Sequence, residues 1–247
     1  MRGARLVNIA STHSSEWVRR QISDRYLIQK HIDNYRSRSA YKLIELDDKY
    51  FIFRKNQTVV ELGCYPGGWA QVALERTLTG ASSSRVIGID KTQIDPIPNY
   101  DFIKGEINDQ ETHNKLLTLL DGVKADVVLS DLAPNCTGIK MDDHLNSAEL
   151  CLQATSLMEK VITVGGTFVV KIFMGGQLDR YKTYLRSLFS EVRSSKPKLV
   201  DFHFTFCRAC RSESKEMYFV CKKFIGARNI RGDVQTEGSY YPKEGFL

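Results

Sequence analysis

The 247-residue sequence predicts an α/β fold with a doubly wound, mostly parallel sheet, on three observations. Short β-branched runs alternate with helix-length segments from residue 58 onward. A glycine cluster follows the first of those runs directly, as in folds that bind ligands at the carboxyl edge of the sheet. The chain, with 42% of its residues hydrophobic, is long enough to bury one sizeable core.

In chain order, residues 15–34 read as a basic amphipathic helix with Trp17, Ile22, Tyr26 and Leu27 on its apolar side. After "YRSRS" a second helix runs from about Ser39 to Tyr50 and packs through Ala40, Leu43, Ile44 and Leu46. TVVEL (58–62) is a strand and 68–78 a helix; RVIGID (85–90) is the second strand. A helix at about 110–120, the strand DVVLSD (126–131), a helix at about 145–163 and the strand GTFVVKIF (166–173) follow. Another helix covers about 177–189, with strands at 190–194 and 216–222, and EMYFVCK is expected as an antiparallel edge. Strands separated by helices of this length give a parallel sheet covered on both faces.

There is no internal repeat and no linker between two large domains. Residues 1–14 read as a targeting or flexible segment, 15–224 as one domain with basic helices at about 15–50, and 225–247 as a polar tail expected to be partly disordered. "MRGARLVNIASTHSS" carries two arginines and no acid, which suits the start of a mitochondrial presequence. No apolar run is long enough to span a membrane.

The net charge of +6 is unevenly spread. Residues 1–55 hold twelve Lys/Arg against six Asp/Glu, and the remainder is balanced. A basic front on a neutral body suggests an anionic partner, although solvated surface produces the same pattern.

"VVELGCYPGGWAQVALE" (59–75) lacks the lysine of a GxxxxGK[ST] phosphate loop and the GxGxxG spacing of a dinucleotide site. Glu61, Gly63, Pro66, Gly67 and Gly68 instead form a glycine turn after a strand, where backbone approaches a ligand closely. Asp90 ends the next strand and is placed to take ribose hydroxyls, and Glu106 lies toward the base side. An adenosine-type cofactor without a pyrophosphate clamp fits, and S-adenosylmethionine is one. Asp131 ends its strand in "SDLAPN", and Lys171 interrupts the apolar "FVVKIF". A lysine there either ends the strand at the surface or lays its stem along apolar neighbours and brings its amine to the crevice.

"RSRSAYKL", "ELGCYPGGW", "SDLAPNCTG", "GGTFVVKIF" and "RSESKEMYFV" together resemble the signature segments of the heat-shock-induced bacterial 23S rRNA ribose 2′-O-methyltransferase family and its mitochondrial relatives. The resemblance spans about residues 15–223 and implies a seven-stranded sheet of the S-adenosylmethionine-dependent methyltransferase type with an N-terminal helical extension. It implies a catalytic set of Lys42, Asp131, Lys171 and Glu216, with Lys171 acting as base or electrostatic partner to a ribose 2′-hydroxyl. It implies cofactor contacts from Gly63, Pro66, Gly68, Trp69, Asp90, Glu106 and Asp131, with core packing open as a second role for Trp69. The chain departs from the family in "CYPGG" for the commoner "AAPGG", and in Glu61 and Glu106 where aspartate is usual.

The implied partner is large-subunit rRNA or the assembling large ribosomal subunit, held by Arg19, Arg20, Lys30, Arg36 and Arg38, of which Arg36 and Arg38 precede Lys42 most closely. A uridine ribose in a mitochondrial-matrix ribosome is the expected target and a monomer the expected state, with cytoplasm and nucleus as other locations. A tRNA 2′-O-methyltransferase and a noncatalytic ribosome-assembly factor are the competing readings. No metal is required. His203, Cys207, Cys210 and Cys221 suggest zinc, but Cys221 falls in an apolar strand and no second Cys pair matches, so reduced thiols are expected.

Overall fold

The computed structural model describes residues 34–79, 84–197 and 215–226. Helix α1 (Ser39–Tyr50) leads into β1 (Val59–Leu62), α2 (Gly68–Thr77), β2 (Val86–Asp90) and β3 (Asp101–Lys104). Then come α3 (Gln110–Leu120), β4 (Ala125–Ser130), α4 (Lys140–Val161), β5 (Ile162–Phe173), α5 (Leu178–Leu188), β6 (Phe189–Ser195) and β7 (Glu216–Phe224). The seven strands form one sheet in the order β3-β2-β1-β4-β5-β7-β6. The pairings from β3 through β5 are parallel, and β7 runs antiparallel to both β5 and β6.

The architecture is the α/β, mostly parallel sheet that the alternation predicts, with three differences. Nothing in the sequence marks β3 as a separate strand, because DFIK is only four residues long and carries no apolar run. β7 is antiparallel but interior, and β6 takes the edge. α4 starts about five residues before its expected start, with Asp142 and Asp143 in its first turn where they favour a helix N-terminus. The helix expected at 15–34, the targeting segment and the polar tail lie outside the described residues apart from their last or first positions. So do His203, Cys207 and Cys210.

Each face of the sheet has its own core. Val60, Leu62, Ile87, Val128, Val170 and Phe219 belong to the core shared with α3, α4 and α5. Val59, Val86, Val127, Leu129, Val169 and Val220 belong to the other, with Leu43 and Leu46 of α1 and Trp69 and Val72 of α2. Strand side chains alternate between faces, so every interior strand contributes to both. Among the described residues no helix is long and apolar enough to cross a membrane.

α1 ends at Phe51, whose φ of 53° puts a bulky residue in the left-handed region while its side chain is 74% exposed. That conformation costs about 1–2 kcal/mol for a non-glycine residue. Phe51→Gly should therefore stabilise the fold by about 0.5–1 kcal/mol, after the larger entropy of the unfolded glycine chain is subtracted. Urea unfolding of the two proteins checks this; a loss of stability would show that the exposed ring makes a contact worth more than the strain.

Candidate active site

Strand register brings the chemistry-bearing residues into one row. Leu62 pairs with Ile89 of β2 and Ser130 of β4. One step further, Gly63, Asp90 and Asp131 stand side by side at the carboxyl edge. The Gly63 amide donates to Ile89 O at 2.9 Å and the Asp131 amide to Leu62 O at 3.1 Å. Lys171 on β5 pairs with Tyr218 on β7. At Gly63, with φ near +80°, an added Cβ would meet Leu132 at 2.9 Å, so both conformation and space call for glycine.

Lys171 is 7% exposed, and its Nζ donates to both the Asp131 carboxylate (Oδ1) and the Asp131 carbonyl, each at 2.9 Å. Burial pulls the Lys171 ammonium down, but the charge and hydrogen bond of Asp131, with Glu216 beyond it, outweigh burial and hold its pKa above the ordinary lysine value. The Tyr218 hydroxyl donates to the same Asp131 Oδ1 at 3.4 Å. Beside this pair Lys42 of α1 forms a salt bridge with Glu216 of β7. Burial raises the Glu216 carboxyl, yet Lys42, followed by Lys171 and Arg38, brings it below the usual glutamate value. The four residues thus form two adjacent cation–carboxylate pairs, both partly accessible. Sequence reasoning passed over Tyr218, although its spacing two residues after Glu216 puts both on one strand face.

A cavity of about 590 Å³ opens beside the row, a size that suits a nucleoside-scale ligand. Of the seven residues expected to touch a cofactor, Gly63, Asp90, Glu106 and Asp131 line it. Asp90 accepts the Tyr65 amide on Oδ2 at 2.9 Å and the Thr92 amide on Oδ1 at 2.7 Å. A carboxylate has about four acceptor sites, so Asp90 keeps capacity for ligand hydroxyls. Pro66, Gly68 and Trp69 do not line the cavity. Gly68 opens α2 where a Cβ would lie 2.1 Å from Ser37 Oγ, so its smallness lets the segment before α1 pack there. Trp69 is buried, donates its indole N–H to Ser39 O at 2.9 Å and packs against the Tyr218 ring; here core packing is its role.

Glu61 lies in β1, beneath the glycine turn rather than in it. It is 1% exposed and accepts the Tyr100 hydroxyl on Oε2 at 2.9 Å. That hydroxyl occupies the space where a Cβ on Gly88 would stand, 1.6 Å away. Burial, with the nearby Asp131 and Asp90 charges, pushes the Glu61 carboxyl up to about 8 despite the tyrosine bond. No local sequence signal marks Tyr100 as its partner, because the two lie 39 residues apart.

The basic residues separate into groups. Arg36 spends Nη1 on Asp95 O at 2.6 Å and Nη2 on Pro96 O at 2.8 Å, while its amide donates to Gln71 Oε1. It acts as a bracket between the N-terminal segment and the 95–96 loop, with reduced capacity for a phosphate. Arg38 lies close enough to Glu216 to lower its pKa. Arg19, Arg20 and Lys30 lie outside the described residues. Among the described residues no cluster of His, Cys, Asp or Glu could hold a metal, and Cys221 is buried in β7.

Residues 35–224 match the FtsJ-like methyltransferase family. The ribosomal RNA large subunit methyltransferase E of Acidiphilium cryptum is 42% identical over 207 residues, covering 84% of this chain and 85% of its own. The protein of that name from Rickettsia akari is 37% identical over 209 residues, covering 84% and 87%. A crystal structure from Plasmodium falciparum, assigned as a ribosomal RNA methyltransferase, superposes with a TM-score of 0.68 at 46% identity, covering 78% of this chain and all of that one.

The Glu61 geometry predicts a pH-dependent stability. Its ordinary pKa of 4.5 applies to the unfolded chain, and about 8 to the folded one. The folded state therefore keeps a proton that the unfolded state releases, so this contribution is present below pH 4.5 and is lost as pH rises to 8. Glu61→Gln should match the wild type near pH 4.5 and exceed its stability at pH 8 by at least about 1.4 kcal/mol. Urea unfolding across that range measures it, and a difference independent of pH would rule out Glu61 as the linked group.

Proposed function

The chain belongs to the FtsJ-like methyltransferase family, and from that premise we propose that it methylates the 2′-oxygen of a uridine ribose in large-subunit rRNA. It is an enzyme and uses S-adenosylmethionine. The site of action we propose is the mitochondrial matrix, on the strength of the arginine-bearing, acid-free start of the chain, with the protein acting as a monomer. The observation that carries the chemistry is the Lys171–Asp131 pair, set in the same register row as Gly63 and Asp90 beside the cavity.

The residues present fit the cofactor. Asp90 offers spare acceptor sites for ribose hydroxyls, Glu106 lines the same cavity, and Gly63, packed against Leu132, puts no side chain into the cavity at its own position. When bound, S-adenosylmethionine supplies a methyl group already activated by its sulfonium. Asp131 faces both the cavity and Lys171, so one carboxylate can compensate positive charge on the cofactor side and orient the amine on the other.

A ribose hydroxyl is a poor nucleophile; its proton passes to solvent water as the oxygen takes the methyl group, and the charge on that oxygen must be stabilised meanwhile. In this geometry Lys171 is an ammonium at neutral pH and donates toward that oxygen. Action as a neutral base would require Asp131 to be drawn away from it. The Lys42–Glu216 pair supplies a second donor and acceptor alongside, which fix the hydroxyl in place. Positioning then carries much of the rate, since the donor is reactive on its own.

Purified protein incubated with methyl-labelled S-adenosylmethionine and large-subunit particles, free rRNA or tRNA tests the reading. Label on the ribose of a large-subunit uridine is the expected outcome. Lys171→Met should lower kcat by about 10²-fold or more while cofactor binding persists. Asp90→Ala should weaken cofactor binding by about 10-fold or more, as loss of a charged hydrogen-bond acceptor does. Label confined to tRNA would move the substrate, and no transfer by folded, cofactor-binding protein would favour an assembly role.

A further inference from the structure

The β4–β5 ladder stops one residue short of Lys171. Ser130 pairs with Val170, and β4 ends there, while β5 runs on to Phe173. Lys171 and Phe173 are two residues apart, so their backbone groups point to the same strand edge, the one β4 has left. Buried backbone groups without partners are costly. Side chains from one face of α4 take the place of the missing strand. Cys151 Sγ donates to Lys171 O at 3.1 Å, and Ser147 Oγ accepts the Phe173 amide at 3.0 Å. His144 Nδ1 donates to Phe173 O at 2.8 Å, and its Nε2 accepts the Gln177 amide at 2.9 Å.

These partners fix the imidazole, because a carbonyl only accepts and an amide N–H only donates; His144 is the neutral tautomer with its proton on Nδ1. The positions 144, 147 and 151 recur at helical spacing, and all three are buried. The loop after β5 crosses the ring at Gly175, where a Cβ would stand 2.2 Å from His144 Cγ.

We infer that His144, Ser147 and Cys151 form a surrogate strand that sets the backbone of Lys171, and that they are positioning residues for methyl transfer. The inference rests on the role of Lys171 proposed above. Lys171 Nζ reaches back to two oxygens of Asp131, across the same gap that the α4 side chains bridge. A shift of β5 against residue 131 would disturb both bonds together, and a displacement of about 1 Å at a reacting centre can cost about 100-fold in rate. None of the three side chains lines the cavity, so cofactor affinity should not depend on them.

The test uses the full chain with Ser147→Ala, Cys151→Ala and Cys151→Ser. It measures kcat, KM for large-subunit particles, affinity for S-adenosylhomocysteine by calorimetry, and amide exchange at Phe173. Ser147→Ala should speed exchange at Phe173 and lower kcat about 10- to 100-fold, with affinity for S-adenosylhomocysteine unchanged. Cys151→Ala should lower kcat in the same way, and Cys151→Ser, which keeps a donor, should restore most of it. Faster exchange with unchanged kcat, or equal rates in the two Cys151 variants, would overturn the inference. Should Ser147→Ala fail to fold, the Cys151 pair decides. Lys171→Met separates the two readings: if it stays active, the role of Lys171 falls. If it is inactive while the α4 variants turn over normally, only the surrogate strand falls. If the wild type transfers no methyl at all, the functional reading fails, and unaltered Phe173 exchange in Ser147→Ala would separately remove the clamp.

Discussion

A buried ammonium must have a partner, and this requirement organises the site. Lys171 lies in an apolar strand between two hydrophobic cores, where an unpaired charge would cost several kcal/mol. Asp131 meets it with a carboxylate oxygen and a backbone carbonyl. That is possible because β4 is the direct neighbour of β5 and ends just before Asp131. Had β4 continued, the Asp131 carbonyl would be committed to the ladder and the carboxylate carried past the amine. The end of the strand is therefore part of the site, and the exposed backbone it leaves on β5 is the need that α4 answers.

The second pair depends on a different set of contacts. Lys42 comes from α1, which precedes the sheet in sequence and is joined to it by no strand. α1 is seated by Leu43 and Leu46 in the core, by the Trp69 indole bonded to Ser39 O, and by Lys222 of β7 donating to Tyr50 O at 3.0 Å. The segment before it is bracketed by Arg36 on the 95–96 loop, by Gln71 donating to Asn34 O, and by Tyr35 donating to Glu75. Lys42 meets Glu216 because α1 is fastened at both ends. Several residues that look like ligand contacts in the sequence, Trp69, Gly68 and Arg36 among them, are occupied with this fastening.

Alternation and the glycine turn made most of the fold legible, since interior strands here are continuous apolar runs bounded by helices. The strand DFIK was not legible, because four residues with one buried side chain, Ile103, are too short to show an alternating pattern. The four residues of the two ion pairs could be named as a set only through the resemblance of five motifs to a known family; strand register then explains how Asp131, Lys171 and Glu216 meet, and the seating of α1 brings Lys42 to them. Glu61 with Tyr100, and the three α4 side chains against β5, could not be named. Both depend on long-range pairings that alternation does not encode, and Ser147 and Cys151 look like ordinary small residues on an apolar helix face.

The departures at the glycine turn can be weighed by which atoms the turn uses. Tyr65 replaces the small residue common in the family, yet Asp90 engages only its backbone amide, which any residue except proline supplies. Its ring is 57% exposed and stands at the cavity wall, so the substitution adds aromatic surface there and leaves the turn intact. Cys64 turns inward and is buried near Gly88, beside the Tyr100 hydroxyl. The longer acid at 61 reaches that hydroxyl because Gly88 leaves the room for it. Glu61, Cys64, Gly88 and Tyr100 thus fill one another's space, and the shape of the ligand-facing turn above them is preserved by backbone atoms that the side-chain changes do not touch.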